Sequence, residues 1–237
     1  MSADALSWDR FAARTGAAAG LLVLAPHPDD ETLGCGGLVT IACRAGVPVH
    51  VAYLTDGAAS HPGSRAWPPA RLTRRRREEA RRALHALGVH TAPVFLGLPD
   101  GGSWSVPPDA MASAAARLTT LCRRARPGLL VTTWRREPHG DHRTAYALAR
   151  QAADECDARL GEFLVWTGRL GTPGDAPRTG EACPVTLDVR AALASRRRAL
   201  AAHESQLGRL VADDPDGFVL TAQWREAMLG ETETYWC

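Results

Sequence analysis

Leu21-Leu22-Val23-Leu24-Ala25-Pro26-His27-Pro28-Asp29-Asp30-Glu31 is the stretch on which the reading of this chain turns. An apolar run of that length, closed by turn-forming residues, reads as a buried β-strand. Gly34, Gly36 and Gly37 then open an apolar, helix-like segment from Leu38 to Ala45. Three acids and one imidazole therefore sit where a buried strand gives way to a helix, the position at which open α/β sheets bind ligands. Burying so much charge beside a core strand is costly unless a cation compensates it. A metal ion is the simplest such cation.

Outward from this stretch, strand and helix patterns alternate. Helix one is expected over 35–45, a second strand over 47–55 and, after a Gly/Pro/Ser-rich loop at 58–70, helix two over 71–87. A third strand at 93–96, helix three at 109–125 and a fourth strand at 129–133 follow. Helix four is expected at 143–157, strands five and six at 162–166 and 185–189, helix five at 191–206, and a less regular tail from Asp213. Crossovers of these lengths suit right-handed parallel connections. The expectation is an α/β, Rossmann-like three-layer fold with a mostly parallel sheet, in a single domain spanning 1–237. A G-x-G-x-x-G fingerprint is absent, so the shape does not imply a dinucleotide.

Composition narrows the chemistry. The 28 basic residues are all Arg, which removes Schiff-base and Walker-type lysine chemistry. A net charge of +2 and the lack of a basic stripe with interleaved aromatics argue against a nucleic-acid partner. No apolar run approaches the roughly 18 residues of a membrane span. The apolar Ala17–Ala25 run ends in the His-Pro-Asp-Asp cluster rather than at a cleavage site. Six scattered cysteines without a Cys-x-x-Cys pair suit reduced thiols, so a cytoplasmic location is expected.

A second constellation, Glu137-Pro138-His139-Gly140-Asp141-His142, directly follows the fourth strand. In a parallel sheet it faces the same crevice as the His27 loop. A catalytic zinc takes three protein ligands and leaves a position for water. His27, Asp30 and one of His139 or His142 supply that set. Asp29 is then free to accept a proton, and the remaining histidine to stabilise an oxyanion.

His27-Pro28-Asp29-Asp30-Glu31 with Gly34, Gly36 and Gly37 resembles the first signature of the PIG-L/LmbE-like zinc deacetylases, and His139-Gly140-Asp141-His142 is similar to their second. Thr55-Asp56-Gly57, the Arg/Glu-rich helix before Leu87-Gly88, and His203-Glu204-Ser205-Gln206 also fit. The resemblance implies a single zinc per chain, or another divalent ion such as iron(II), and hydrolysis of an N-acyl, chiefly N-acetyl, group on an amino-sugar substrate. It implies His27, Asp30 and His142 as metal ligands, and Asp29 as general base. His139 would stabilise the oxyanion, and Asp141 would bond to one of the two histidines beside it. Asp100 and Arg65 are the implied substrate contacts. A thiol-conjugate amidase of the mycothiol or bacillithiol type would use the same residues, and a non-catalytic sugar-binding relative would keep the metal site alone.

Aromatic rings stack on sugars and apolar groups. Trp67, Trp104, Trp134 and Trp166 are expected to ring the C-terminal end of the sheet, with Trp104 and Trp134 as substrate contacts. Arg74 to Arg77 read as a solvated helix face, with the pairing of one of the four to a buried acid as the alternative. Glu31 reads equally as a ligand support or a helix cap, and His203 as structural or exposed.

Overall fold

The computed structural model describes residues 5–237, so the first four residues of the expected domain lie outside the described residues. The chain opens with α1 (Trp8–Thr15) and reaches β1 (Leu21–Ala25), every residue of which is buried. Next come α2 (Asp30–Arg44), β2 (Val49–Tyr53), α3 (Pro69–Leu87) and the short β3 (Val94–Phe95). α4 (Pro108–Ala125), β4 (Leu129–Thr133), α5 (Gly140–Cys156) and β5 (Arg159–Phe163) follow. The remainder holds the single-turn α6 (Thr167–Leu170), β6 (Pro184–Asp188), α7 (Leu193–Ala202), α8 (Ala222–Met228) and β7 (Thr232–Trp236).

These strands form one sheet in the order β3-β2-β1-β4-β5-β7-β6. The five strands from β3 to β5 pair in parallel, and β7 runs antiparallel to both of its neighbours. β1 is central because its unbroken Leu/Val run has a partner strand on each side and a core on each face. Leu21 and Val23 join the core formed with Leu38 and Leu84, while Leu22 and Leu24 join the one formed with Leu118 and Leu148. Helices α2, α3 and α7 cover the first face and α4 and α5 the second, giving three layers. The chain leaves β1 toward β2 and β3, then returns to the other side of β1 with β4. That reversal opens a crevice beyond the C-terminal ends of β1 and β4.

Three expectations about boundaries are corrected. Helix one starts at Asp30, five residues early, and breaks at Cys35 (φ −142°, ψ 17°), where the expected start lay. The break frees the amides of Gly37 and Leu38, which donate to the Glu233 carboxylate at 2.7 and 2.8 Å. A methyl group at Gly34 would overlap the Phe163 ring and one at Gly37 would overlap Val189, so both glycines allow α2 to press onto its neighbours. Strand five covers Arg159–Phe163 rather than 162–166. The amides of Val165, Trp166 and Thr167 leave the ladder because the Glu137 carboxylate takes them, at 3.0, 2.8 and 3.1 Å. The tail is regular: α8 is followed by β7, which inserts between β5 and β6 with Glu233 and Tyr235 turned inward.

Candidate metal centre

Two helix N-termini meet over the crevice, and each carries acids in its first turn, where the helix dipole favours them. Asp30 and Glu31 open α2; Asp141 opens α5. Helix four thus begins at Gly140, three residues before the expected 143. The cap is His139, whose Nδ1 accepts the Asp141 N–H at 3.2 Å.

Asp30 Oδ2 is the focus of the site. It accepts the His27 N–H at 2.9 Å, lies 3.2 Å from His27 Nδ1 and 3.3 Å from His142 Nε2. Two ligands held about 2.0–2.1 Å from one tetrahedral zinc stand ~3.3 Å apart, so both separations match edges of such a polyhedron. His142 is fully buried, yet among the described residues neither of its ring nitrogens has a well-directed hydrogen bond. A buried imidazole left orphaned in this way is the environment a cation completes. The residues present therefore fit a divalent metal, and one ligand atom each of His27, Asp30 and His142 lies within 4.8 Å of the others.

The outer sides of both rings are held by carboxylates. His142 Nδ1 faces Glu137 Oε2 at 3.2 Å. His27 Nε2 lies 2.9 Å from Asp141 Oδ2 and 3.1 Å from Asp100 Oδ1. Asp141 is in turn locked by the Gly101 and Ser103 amides and by the Ser103 hydroxyl, at 2.8, 3.0 and 2.5 Å. Carboxylates on the far side of ligating imidazoles orient the rings and raise their basicity. Asp141, expected to bond to His139 or His142, thus serves His27 instead; His139 Nδ1 is 3.9 Å away. Burial opposes charge on Asp141 and Glu137, but His27 and His142 respectively, together with the N–H donors, hold both below the usual carboxylate range.

Asp29 occupies a backbone conformation that L residues rarely adopt, φ 145°. Its N–H donates to Glu31 Oε2 at 3.0 Å, and Glu31 is braced by the Thr32 hydroxyl at 2.7 Å and by buried His203, 3.4 Å away. Glu31 thus supports the loop, and His203 supports Glu31. Arg76 of α3 donates to Pro28 O at 2.6 Å, Gly57 O at 3.1 Å and Asp29 Oδ2 at 3.1 Å. One member of the Arg run expected on a solvated face is therefore buried against the acid. Burial, opposed by Arg76, raises the Asp29 carboxyl to about 7. His139 is depressed to about 4 by burial and by His27 and His142. It is neutral at pH 7, and because Nδ1 accepts a backbone N–H, its proton lies on Nε2.

His27, Asp29, Asp30 and His139 line a cavity of about 530 Å³ together with Asp100 and Arg76. Trp104 does not line this cavity; it stands 56% exposed, edge-on to His139 with ring centroids 6.5 Å apart. Trp134 and Arg65 do not reach the cavity either. Trp134 is fully buried, with its indole N–H donated to Asp175 O at 2.7 Å and Arg135 and Arg136 across its ring. The Arg65 amide ties the 58–70 loop to Asp213 at 2.9 Å. Sequence reasoning assigned no role to Glu137, Trp224, Phe218 or Gln206. Glu137 carried a signal, an acid five residues before His142; Trp224 and Phe218 carried none.

A buried His-Asp-His cluster at the switch point of a Rossmann-like sheet, with the Arg76-paired Asp29 and a neutral histidine beside it, is a donor set that fits a divalent metal. The family model described as "GlcNAc-PI de-N-acetylase" matches residues 22–153, and the chain belongs to this PIG-L family. The chain is 26% identical over 264 residues to a 1D-myo-inositol 2-acetamido-2-deoxy-alpha-D-glucopyranoside deacetylase of Rhodococcus jostii, covering 89% of each chain. It is 30% identical over 135 residues to a diacetylchitobiose deacetylase of Thermococcus kodakarensis, covering 56% of this chain and 48% of that protein. A deacetylase triple mutant from the teicoplanin biosynthetic pathway shares the fold, with a TM-score of 0.68 at 23% identity over 92% of this chain and 96% of that one.

Proposed function

We propose that the protein is a metal-dependent amidohydrolase that removes an N-acyl group, acetyl in the simplest case, from an amino sugar. The observation that carries this reading is the convergence of His27, Asp30 and His142 beside Asp29 in one cavity. His27, Asp30 and His142 would hold a divalent ion, zinc by the character of the donor set. When bound, the ion would polarise the amide carbonyl and acidify water.

The chain's own groups do the rest. Asp29 takes a proton from the attacking water and returns it to the departing amine. Arg76 and Glu31 hold Asp29 in its strained conformation, so that its position does not depend on substrate. His139 donates from Nε2 to the amide oxygen as charge develops there. Asp141 and Glu137 keep the two ligand rings oriented. Asp100 meets sugar hydroxyls on one side, and Trp104 stands beside His139. The scattered cysteines suit a cytoplasmic enzyme, and among the described residues no helix is long and apolar enough to cross a membrane.

The test is elemental analysis of the purified protein paired with amine release from N-acetylglucosamine derivatives. About one metal ion per chain with released amine is the expected result. A metal-free protein, active or not, would remove the assigned ligand set.

A further inference from the structure

The cavity has two unlike ends. The loop after β3 brings Asp100 to one side and α6 brings Trp166 and Leu170 to the other, while the segment before β7 adds Trp224 and Phe218, the latter tied by its N–H to Ser60 O at 2.8 Å. The strand order places the loops after β3 and β5 at opposite ends of the parallel section, with the β1 and β4 loops between them. The metal centre therefore sits between a polar wall and an apolar one.

The apolar wall is built rather than incidental. The Trp166 ring lies 4.3 Å from Trp224 and 5.4 Å, edge-on, from Phe218. Leu170 stands 61% exposed beside them, facing the open cavity. Leu33, three residues after Asp30, continues the surface to the floor of the site. Glu137 ties this wall to the metal centre: one carboxylate faces His142 at 3.2 Å and accepts the Trp166 N–H at 2.8 Å. Contiguous exposed apolar surface inside a cavity marks a place where something apolar is bound.

On the proposed reading, the scissile amide lies at the centre with its sugar on nitrogen and its acyl group on carbon. The sugar's hydroxyls match the Asp100 end, which leaves the carbonyl substituent directed at Trp166 and Leu170. Four large side chains offer more apolar surface than one methyl group can cover. We infer that the preferred substrate is an amino sugar whose nitrogen bears an acyl group longer than acetyl, a medium alkyl chain or an aryl ring, seated against Trp166, Leu170, Phe218 and Trp224. The step is ordinary hydrolysis: the amide C–N bond breaks, a C–O bond forms to the water oxygen, and water's two hydrogens end on the carboxylic acid and the amine.

The test compares N-acetyl-, N-hexanoyl- and N-octanoylglucosamine, with octyl N-acetyl-β-glucosaminide as the control that places the same chain on the other end of the sugar. For the metal-loaded enzyme, kcat/KM for the octanoyl amide should exceed that for the acetyl amide by at least about tenfold. Leu170→Ser, at an exposed position where folding is not at stake, should cut that advantage severalfold, and Trp166→Ala should remove most of it. A flat or falling acyl series, or a gain that follows the glycoside instead, would overturn the inference. Should no substrate release amine, the hydrolase reading fails by itself. Calorimetry then decides the wall: octanoyl binding about tenfold tighter than acetyl, and weakened by Leu170→Ser, upholds it, while equal affinities refute it.

Discussion

The loops after β1 and β4 and the segments around α6 and α8 face one another across a single cavity, yet they are held in opposite ways. Around His27 and His142 each side chain is fixed by short polar contacts. Some are local, as from Asp30 to His27 and Glu137 to His142, and others come from segments more than a hundred residues away, as from Asp141 to His27 and Asp30 to His142. Around Trp166 and Trp224 the contacts are ring against ring, and the partners come from chain segments about sixty residues apart. A polar site is set by residue type at fixed spacing, because hydrogen bonds tolerate few geometries. An apolar wall requires only volume and shape, which many sequences provide.

Four substitutions would break or sharpen this contrast. The largest effect is expected from Asp29→Asn, which removes the proton acceptor and keeps the shape. Turnover should fall by roughly 10²–10⁴-fold, with metal content unchanged by elemental analysis; retained activity would take Asp29 out of the base role. Glu137→Gln comes next, since this carboxylate backs His142 and also ties down Trp166. Metal affinity, read by chelator competition, should weaken about 10–100-fold. An unchanged affinity would mean that the link between the two halves of the cavity is structural only.

Arg76→Met tests the support beneath Asp29. Removing one partner from a buried pair leaves the other uncompensated, a loss on the order of 3 kcal/mol in denaturant unfolding. The smallest effect is expected from Trp134→Phe. Trp134 lies in the core rather than on the wall, so the change should cost only about 1–2 kcal/mol from the lost Asp175 bond and the vacated volume. Its kcat/KM should match wild type; a selective rise in KM would put Trp134 back among the substrate contacts.

Much of the centre was legible from the residues. His27, Asp29 and Asp30 follow a continuously apolar strand, and His139 and His142 follow another. Given a parallel sheet, two such strand ends must face one crevice. The partner of Asp141 was not legible. Spacing favoured its own neighbours, but the capping of α5 by His139 turns the aspartate toward His27, which is more than a hundred residues away. The burial of Arg76 was hidden for a similar reason: four consecutive arginines look alike, and only the packing of α3 beside the Pro28 and Gly57 carbonyls chooses one of them.

Elements followed the same division. β1 and β4 were placed correctly because a strand buried on both faces is largely apolar, β1 throughout and β4 over Leu129-Leu130-Val131. β7 was missed because Thr232-Glu233-Thr234-Tyr235-Trp236 alternates around a carboxylate that is satisfied by the amides freed at the α2 kink, by the Tyr235 hydroxyl and by Arg196. The sequence by itself determined the layered α/β architecture and the residues that meet at the centre, since periodicity and short-range spacing depend on local chain geometry. Only the tertiary structure decided which carboxylate serves which imidazole, which arginine is buried and which tryptophans face the cavity. Those choices rest on contacts between distant segments, and they exist only once the sheet order has brought the segments together.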